Sequence, residues 1–219
     1  MVEEGRFSGY EGVELSEVGR EQAARLAERL APFEIEAVYS SALSRAVDTA
    51  RILAAPHRLP VIERPDLREV SHGHWVDLTR SQVEERYAEE YAAYITDPFL
   101  VAPEGGEAGV TVLARALPVI RQIVLAHPGR TALVVSHKAT LRLILSSLLG
   151  FDVRGYRDRL DQAPACLNVV DFLDPVRARL MLFNDTSHYT LAPREAKLSL
   201  SKWWDQGSPS SAAREKKLD

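Results

Sequence analysis

The apolar positions of the chain follow two periods in turn. From Ser16 to Leu30 they recur at helical spacing, with Ala23, Leu26, Ala27 and Leu30 on one face and Ser16 placed to cap the N-terminus. "AVYSS", Ala37 to Ser41, reads as a short buried strand that runs into a second amphipathic helix carrying Leu43, Ala46, Val47, Ala50 and Leu53 on one side. "LPVIERP" reads as a strand closed by proline, and Arg80 to Tyr94 as one helix with a heavily charged outer face. A further helix is expected over Val110 to Ala126, kinked or split at Pro118, because proline has no N–H to give the preceding turn and its ring crowds that turn's carbonyl. "TALVVSH" has the character of a buried strand, and Ala139 to Leu149 that of a helix stopped by Gly150. Two last apolar runs, "CLNVVDFL" and "ARLMLFN", are separated by "DPVR" and predict an antiparallel hairpin.

Strands alternating with helices imply an α/β domain, a three-layer α/β/α sandwich whose largely parallel sheet the hairpin would make mixed. That domain is expected over residues 1–192. From 193 to 219 the chain turns to Ser, Lys and Glu, with Trp203 and Trp204 as its large anchors, and reads as a mobile tail.

Composition narrows the function classes. The 219 residues are 46% hydrophobic and 26% charged, with 27 Lys plus Arg against 31 Asp plus Glu. A mildly acidic balance gives no electrostatic reason to expect nucleic-acid or anionic-membrane binding, so any basic site must be local. The single cysteine, Cys166, cannot form an internal disulfide and fits a core position in a reducing compartment. No apolar run approaches the ~20 uninterrupted residues of a membrane helix, and no leader is recognised before the first element, so the expected location is the cytoplasm.

In doubly wound sheets, ligands bind beyond the carboxyl ends of strands, where helix N-termini offer unpaired N–H groups to anions. Three segments fall there. "YSSALSRAVDTA" places Arg45 near the first turn of a helix, "LVVSHKATLR" does the same for His137 and Lys138, and "PDLREVSHGHW" crowds Glu69, His72 and His74 into a loop. An arginine fork, a histidine and a carboxylic acid make a phosphate site with an acid at hand to protonate a leaving oxygen. Each residue taken singly has a plainer reading. Arg45 would pair with Asp48 or Asp77, His137 would be a satisfied buried histidine, Glu69 a surface glutamate and "SHGHW" a turn set by Gly73. A zinc pair of His72 and His74 lacks a third ligand at sensible spacing, so no metal is expected. Lys138 opposes the helix dipole unless an anion binds there.

"GRFSGYEGVELSEVGREQAARLAERL", "VYSSALSRAVDTA", "LREVSHGHW", "PEGGE" and "VVSHKATLR" occur in the order and at the rough spacing of the histidine phosphatase superfamily, also called phosphoglycerate mutase-like, which the chain resembles from about Glu4 to Asn184. The resemblance implies phosphoryl transfer through a phosphohistidine, without metal or other cofactor, on a small phosphorylated substrate. It also implies roles. Arg45 would clamp the phosphoryl oxygens, His137 would hydrogen-bond the phosphoryl group, and Glu69 would protonate the leaving alkoxide. Ser8 and Gly9 would touch phosphate, and Lys138 would stand as an added cation where the family usually has glycine. His72 and His188 are candidates for the substrate mouth, although "FNDTSHY" also reads as a plain turn. A homodimer is left open.

The departures from the family pattern are as informative. A strand ending in Arg-His-Gly, whose histidine is the nucleophile, should precede "EGRFSG" by about ten residues, and none of the six histidines replaces it by motif. Without the covalent residue, turnover should be slow or absent. A missing inner strand would also leave its neighbours with unpaired backbone. The expectation is that the natural product begins upstream of Met1, or that a strand from "LSLS" or from a partner fills the place. "GHWVDLT" lacks the glutamate and glycine usual after the tryptophan, and the loop after "LREVSHG" does not resemble that of the glycolytic mutases. A phosphomonoesterase is therefore expected. The alternatives are a phosphoglycerate mutase, or a catalytically inactive protein that binds a phosphorylated ligand or a protein partner.

Overall fold

The computed structural model describes residues 6–7 and 14–189. Ser8, Gly9 and the tail expected over 193–219 lie outside the described residues. The first helix, α1 (Glu17–Leu30), is capped by Ser16, whose Oγ accepts from Gly19 N at 3.1 Å. It is followed by β1 (Ala37–Ser40), α2 (Ser44–Ala54) and β2 (Val61–Glu63). Then come α3 (Arg80–Arg86), α4 (Ala88–Thr96), α5 (Gly109–Ala126), β3 (Ala132–Val135), α6 (Lys138–Leu148), the single turn α7 (Tyr156–Arg159), β4 (Leu167–Phe172) and β5 (Ala178–Asp185).

Three strands form a parallel sheet in the order β2-β1-β3, with Tyr39 opposite Ile62 on one side and Val134 on the other. Side-chain alternation along β1 and β3 divides the core into two layers. Ala37, Tyr39, Ala132 and Val134 face Ala116, Val119, Ile120 and Ile123 of α5 and Ile144 of α6. On the opposite face Val38, Leu133 and Val135 meet Leu26, Ala27 and Leu30 of α1 and Ala50, Leu53 and Ala54 of α2. Helices thus cover both faces, which is the expected α/β/α arrangement.

The hairpin β4-β5 is antiparallel, as its two apolar runs predict, but among the described residues it forms its own two-stranded sheet rather than a direct extension of the parallel one. Phe172 packs in the α5/α6 layer with Ala132 and Val134, and Leu167 in the α1 layer with Leu133 and Val135. Of the two apolar strands, β1 is buried throughout, while every residue of β3 is only half-buried. Among the described strands, β3 pairs on one edge only.

Two expectations change. Pro118 neither ends nor splits α5, which runs unbroken from Gly109 to Ala126. Val112 and Ala116 before the proline, and Val119, Ile120 and Ile123 after it, are all buried along that helix, so burial on both sides holds it together across the lost bond. By length and hydropathy α5 would pass for a membrane span, yet its apolar side is the one lying on the sheet. The expected single helix over Arg80–Tyr94 is two, broken at Tyr87 (φ −134°, ψ 43°). The break lets Val83 and the pair Tyr91 and Tyr94 all reach inward, the two tyrosines onto Trp75 at 5.9 and 5.2 Å between ring centroids.

The loop between β2 and α3 is held by its neighbours. Glu90 accepts from His74 Nε2 (2.7 Å), Trp75 Nε1 (3.0 Å) and Glu104 N (2.7 Å), fastening this loop to α4 and to the "PEGGE" segment. Gly73, at φ +50°, lies so close to that segment that an added Cβ would run into the backbone of Glu104, Gly105 and Gly106. Gly129 has a similar φ of +68° with open space around it. Gly129→Ala should therefore cost about 1 kcal/mol, the left-handed backbone alone. Gly73→Ala should cost about 3 kcal/mol or more, from overlap that backbone cannot relieve. Urea unfolding of the two variants measures the difference, and equal losses would show that the loop does not depend on this close approach.

Candidate active site

The corner between β3 and α6 is stapled to the segment that follows β2. Ser136 Oγ donates to Leu67 O at 2.7 Å, and Thr140 Oγ1 to Arg68 O at 2.8 Å. Between these bonds the Glu69 carboxylate lies across the N-terminus of α6. Its Oε2 accepts from Ala139 N (3.1 Å) and its Oε1 from Thr140 N (3.2 Å), Thr140 Oγ1 (3.2 Å) and Val70 N (3.0 Å). The helix has no side-chain cap of its own at His137, so a carboxylate from another part of the chain satisfies its first free amides. Glu69 is therefore no free surface residue.

His137 is the N-cap residue of α6 and is 8% exposed. Its Nε2 lies 2.6 Å from Ser41 Oγ, at the end of β1, which also accepts from Leu43 N at 3.2 Å. The corners after β1 and β3 are thus joined through one imidazole. Burial pushes the His137 imidazole down to about 4, with Glu69 working the other way and the charges of Arg45 and Arg115 adding to the drop. The ring is accordingly neutral at pH 7.

Arg45, on the first turn of α2, pairs with neither Asp48 nor Asp77. Asp48 is taken by Arg20 (3.6 Å) and Arg51 (3.3 Å). Among the described residues the Arg45 Nη1 is buried without a hydrogen-bond partner, and burial pulls the guanidinium below its ordinary value, partly offset by the charge of Glu69. A buried guanidinium nitrogen with nothing to donate to is costly unless an anion completes it.

His72 belongs to the same neighbourhood. Burial lowers its affinity for a proton, Glu69 again opposing, and its Nδ1 is buried without a partner among the described residues while Nε2 lies 3.3 Å from Tyr94 Oη. Phe7 packs on it at 4.9 Å and bonds to Leu78 O and from Asp77 N, which brings the start of the early "GRFSG" loop against this wall. Lys138 follows His137 directly and holds Asp161 at 3.1 Å, which Arg142 also holds at 2.9 Å. Its charge is therefore shared with a carboxylate. His188 is placed elsewhere, beside Arg25, Glu28, Arg29 and Ser187 and edge-on to Tyr189. The structure thus gathers Arg45, Glu69, His72, His137 and Lys138, and leaves His188 out among the described residues.

Ser41, Thr140 and Arg115 stand at the site without having been singled out from sequence. Ser41 and Thr140 lie inside quoted motifs, and a hydroxyl within a residue or two of a strand end or helix start was the available signal. Arg115 had none, being one arginine on an apolar helix.

What the arrangement can do follows from its charges. A partnerless guanidinium nitrogen and a neutral imidazole can donate to a phosphoryl group, and a carboxyl beside them can pass a proton to an oxygen leaving it.

A profile of the histidine phosphatase superfamily (branch 1) matches residues 1–186. Phosphoserine phosphatase 1 of Hydrogenobacter thermophilus is 33% identical over 149 residues, which are 68% of this chain and 71% of that one. The metal-independent phosphoserine phosphatase of Arabidopsis thaliana is 39% identical over 143 residues, 64% of this chain and 60% of its own length. Among solved structures, a mycobacterial glucosyl-3-phosphoglycerate phosphatase superposes with a TM-score of 0.74 at 30% identity, covering 82% of this chain and 91% of that one.

Burial of neutral His137 carries a pH signature. The unfolded imidazole binds a proton near pH 6.5 and the folded one only near 4, so the unfolded state holds more protons between these values and stability falls as pH drops through that window. The loss is on the order of 3 kcal/mol by pH 4. His137→Asn should flatten the fall in melting temperature between pH 6.5 and 4 relative to the parent protein, and an unchanged slope would show that the ring is not buried neutral.

Proposed function

Because the chain belongs to the histidine phosphatase superfamily, we propose that it is a metal-independent phosphomonoesterase acting on a small phosphorylated molecule. The observation that carries this reading is the buried Nη1 of Arg45, without a partner among the described residues and electrostatically coupled to both Glu69 and His137. In this reading Arg45 and His137 supply two donors and Glu69 an acid, which suits a tetrahedral anion with one esterified oxygen.

In this reading the phosphoryl group sits between Arg45 and His137, and its arrival favours a proton on the His137 ring. The bond from phosphorus to the ester oxygen breaks as a bond to a histidine nitrogen forms. Glu69 delivers its proton to the departing oxygen. Water then attacks phosphorus, Glu69 takes the proton back, and inorganic phosphate leaves the imidazole. Glu69 Oε2 accepts from Ala139 N alone among the described residues, while Oε1 accepts from Thr140 N and Val70 N and shares the Thr140 hydroxyl hydrogen with Arg68 O, so in this reading Oε2 carries the proton. His72, with its partnerless Nδ1, and the Lys138–Asp161 pair flank the place of the leaving group.

The family resemblance assigns the nucleophile to a histidine at the end of a strand, and among the described strands β3 has an edge on which such a strand would pair. None of the six histidines lies on such a strand. The Arg45 Nη1 serves equally a second reading, a protein that binds a phosphorylated ligand without turning it over.

Phosphoserine is the first natural substrate to test, given what the relatives are named for. Protein from its native source, its chain length fixed by intact mass, should hydrolyse 4-nitrophenyl phosphate and phosphoserine. Arg45→Ala should lower kcat/KM by about 100-fold or more and Glu69→Gln by a similar factor, since each removes one interaction with developing charge. A phosphate-dependent rise in melting temperature without hydrolysis would select the binding protein instead.

A further inference from the structure

"PEGGE" is the one motif of the five to which no chemistry attaches at the sequence level, and the structure shows where its last residue goes. Glu107, 12% exposed, takes a two-pronged grip from Arg115 of α5, itself 10% exposed: Nε to Oε1 at 2.8 Å and Nη2 to Oε2 at 2.9 Å. The remaining donors of the guanidinium are also taken. Nη1 donates to Asp66 O (2.6 Å) and Arg68 O (2.9 Å), and the second Nη2 hydrogen to Glu69 O (3.0 Å). All five N–H groups of one arginine are thus spent on Glu107 and on three carbonyls of the segment 66–69. Glu107 reaches the other flank, accepting from Ser71 N at 3.2 Å, and also from Arg68 Nη2 at 3.0 Å.

We propose that Arg115, anchored by Glu107, is a positioning residue for Glu69: the pair grips the backbone on both sides of that residue and so holds its carboxylate on the amides of α6. The inference rests on Glu69 being the proton donor of the proposed phosphatase. The geometry argues for more than general stability. A buried arginine needs donors satisfied anywhere, but here three of its five bonds fall on carbonyls of residues 66, 68 and 69, the last being the acid itself. A lysine at 115 keeps the charge and loses the planar fork, so it cannot hold Glu107 and three carbonyls at once. The Arg115 charge also reaches His137.

Two measurements on the full chain test this, with Arg115→Lys, Arg115→Met and the milder Glu107→Gln. The first is leaving-group dependence. 4-Nitrophenolate departs without help, whereas an alkoxide needs a proton. A misplaced acid should therefore lower kcat on an alkyl phosphate such as glycerol 2-phosphate by about 100-fold and on 4-nitrophenyl phosphate by less than about 10-fold, with KM little changed. Equal losses on both substrates would overturn the proposal. The second needs no turnover. In amide NMR spectra the protons of Ala139 and Thr140, which point at the Glu69 carboxylate, should shift upfield in the Arg115 and Glu107 variants. In Leu26→Ala, which loosens the opposite face of the sheet, they should stay. Unmoved Ala139 and Thr140 amides in folded Arg115→Lys and Glu107→Gln would also overturn the proposal. Failure of the parent protein to hydrolyse either ester counts against the proposed phosphatase, and the amide shifts then decide the positioning role alone.

Discussion

A carboxylate laid on the N-terminus of a helix from another part of the chain is the constraint on which this site depends. Glu69 supplies the acceptors that α6 lacks, and α6 supplies the amides that fix Glu69, so the loop after β2 and the corner after β3 define each other. Ser136 and Thr140 add hydroxyl bonds to Leu67 O and Arg68 O on either side of that contact. His137, trapped between this corner and Ser41, carries the same register across to the end of β1. Three strand ends become one surface because Glu69, His137, Ser136 and Thr140 are each completed by a different segment.

The electrostatics of that surface are unbalanced in a consistent direction. Arg45 is desolvated and partly unpartnered, His137 is held neutral, and Glu69 is the anion that both feel. Leaving a cation short of partners costs stability, and the arrangement makes sense when a dianion supplies the missing acceptors. Lys138 lies next to His137, but Asp161 and Arg142 share its neighbourhood, so it shapes the rim more than it adds charge to the centre. His188, which the sequence could carry to the mouth, sits against the last turns of α1, in part because Arg29 holds Asp185 and Ser187 beside it.

Much of the fold could be read from apolar periodicity, since burial acts on side chains at fixed helical or strand spacing. α1, β1, α2, α6 and the hairpin all occur where that spacing puts them. The misreadings have one cause. Pro118 and Tyr87 are local signals judged against a local rule, and tertiary packing outweighed each: burial along its whole length kept α5 whole, and packing around Trp75 broke the α3/α4 segment. The gathering of Arg45, Glu69 and His137 at a candidate site was legible where residue type and motif coincide. Arg115 was not, because an arginine inside an apolar helix looks like any surface cation until the carbonyls it serves are known.

By itself the sequence determined which residues are apolar at which period, and hence the elements and the α/β class, and it determined the order of the motifs that mark the superfamily. Only the tertiary structure decided that Glu69 caps α6, that Ser41 holds His137, that Arg115 spends every donor on Glu107 and the backbone at residues 66–69, and that β3 keeps an open edge among the described residues. The physical reason is range. Periodicity and propensity act between neighbours along the chain. A hydrogen bond between residues 69 and 139, or 41 and 137, exists only after two layers of helices have packed on a sheet and brought strand ends together.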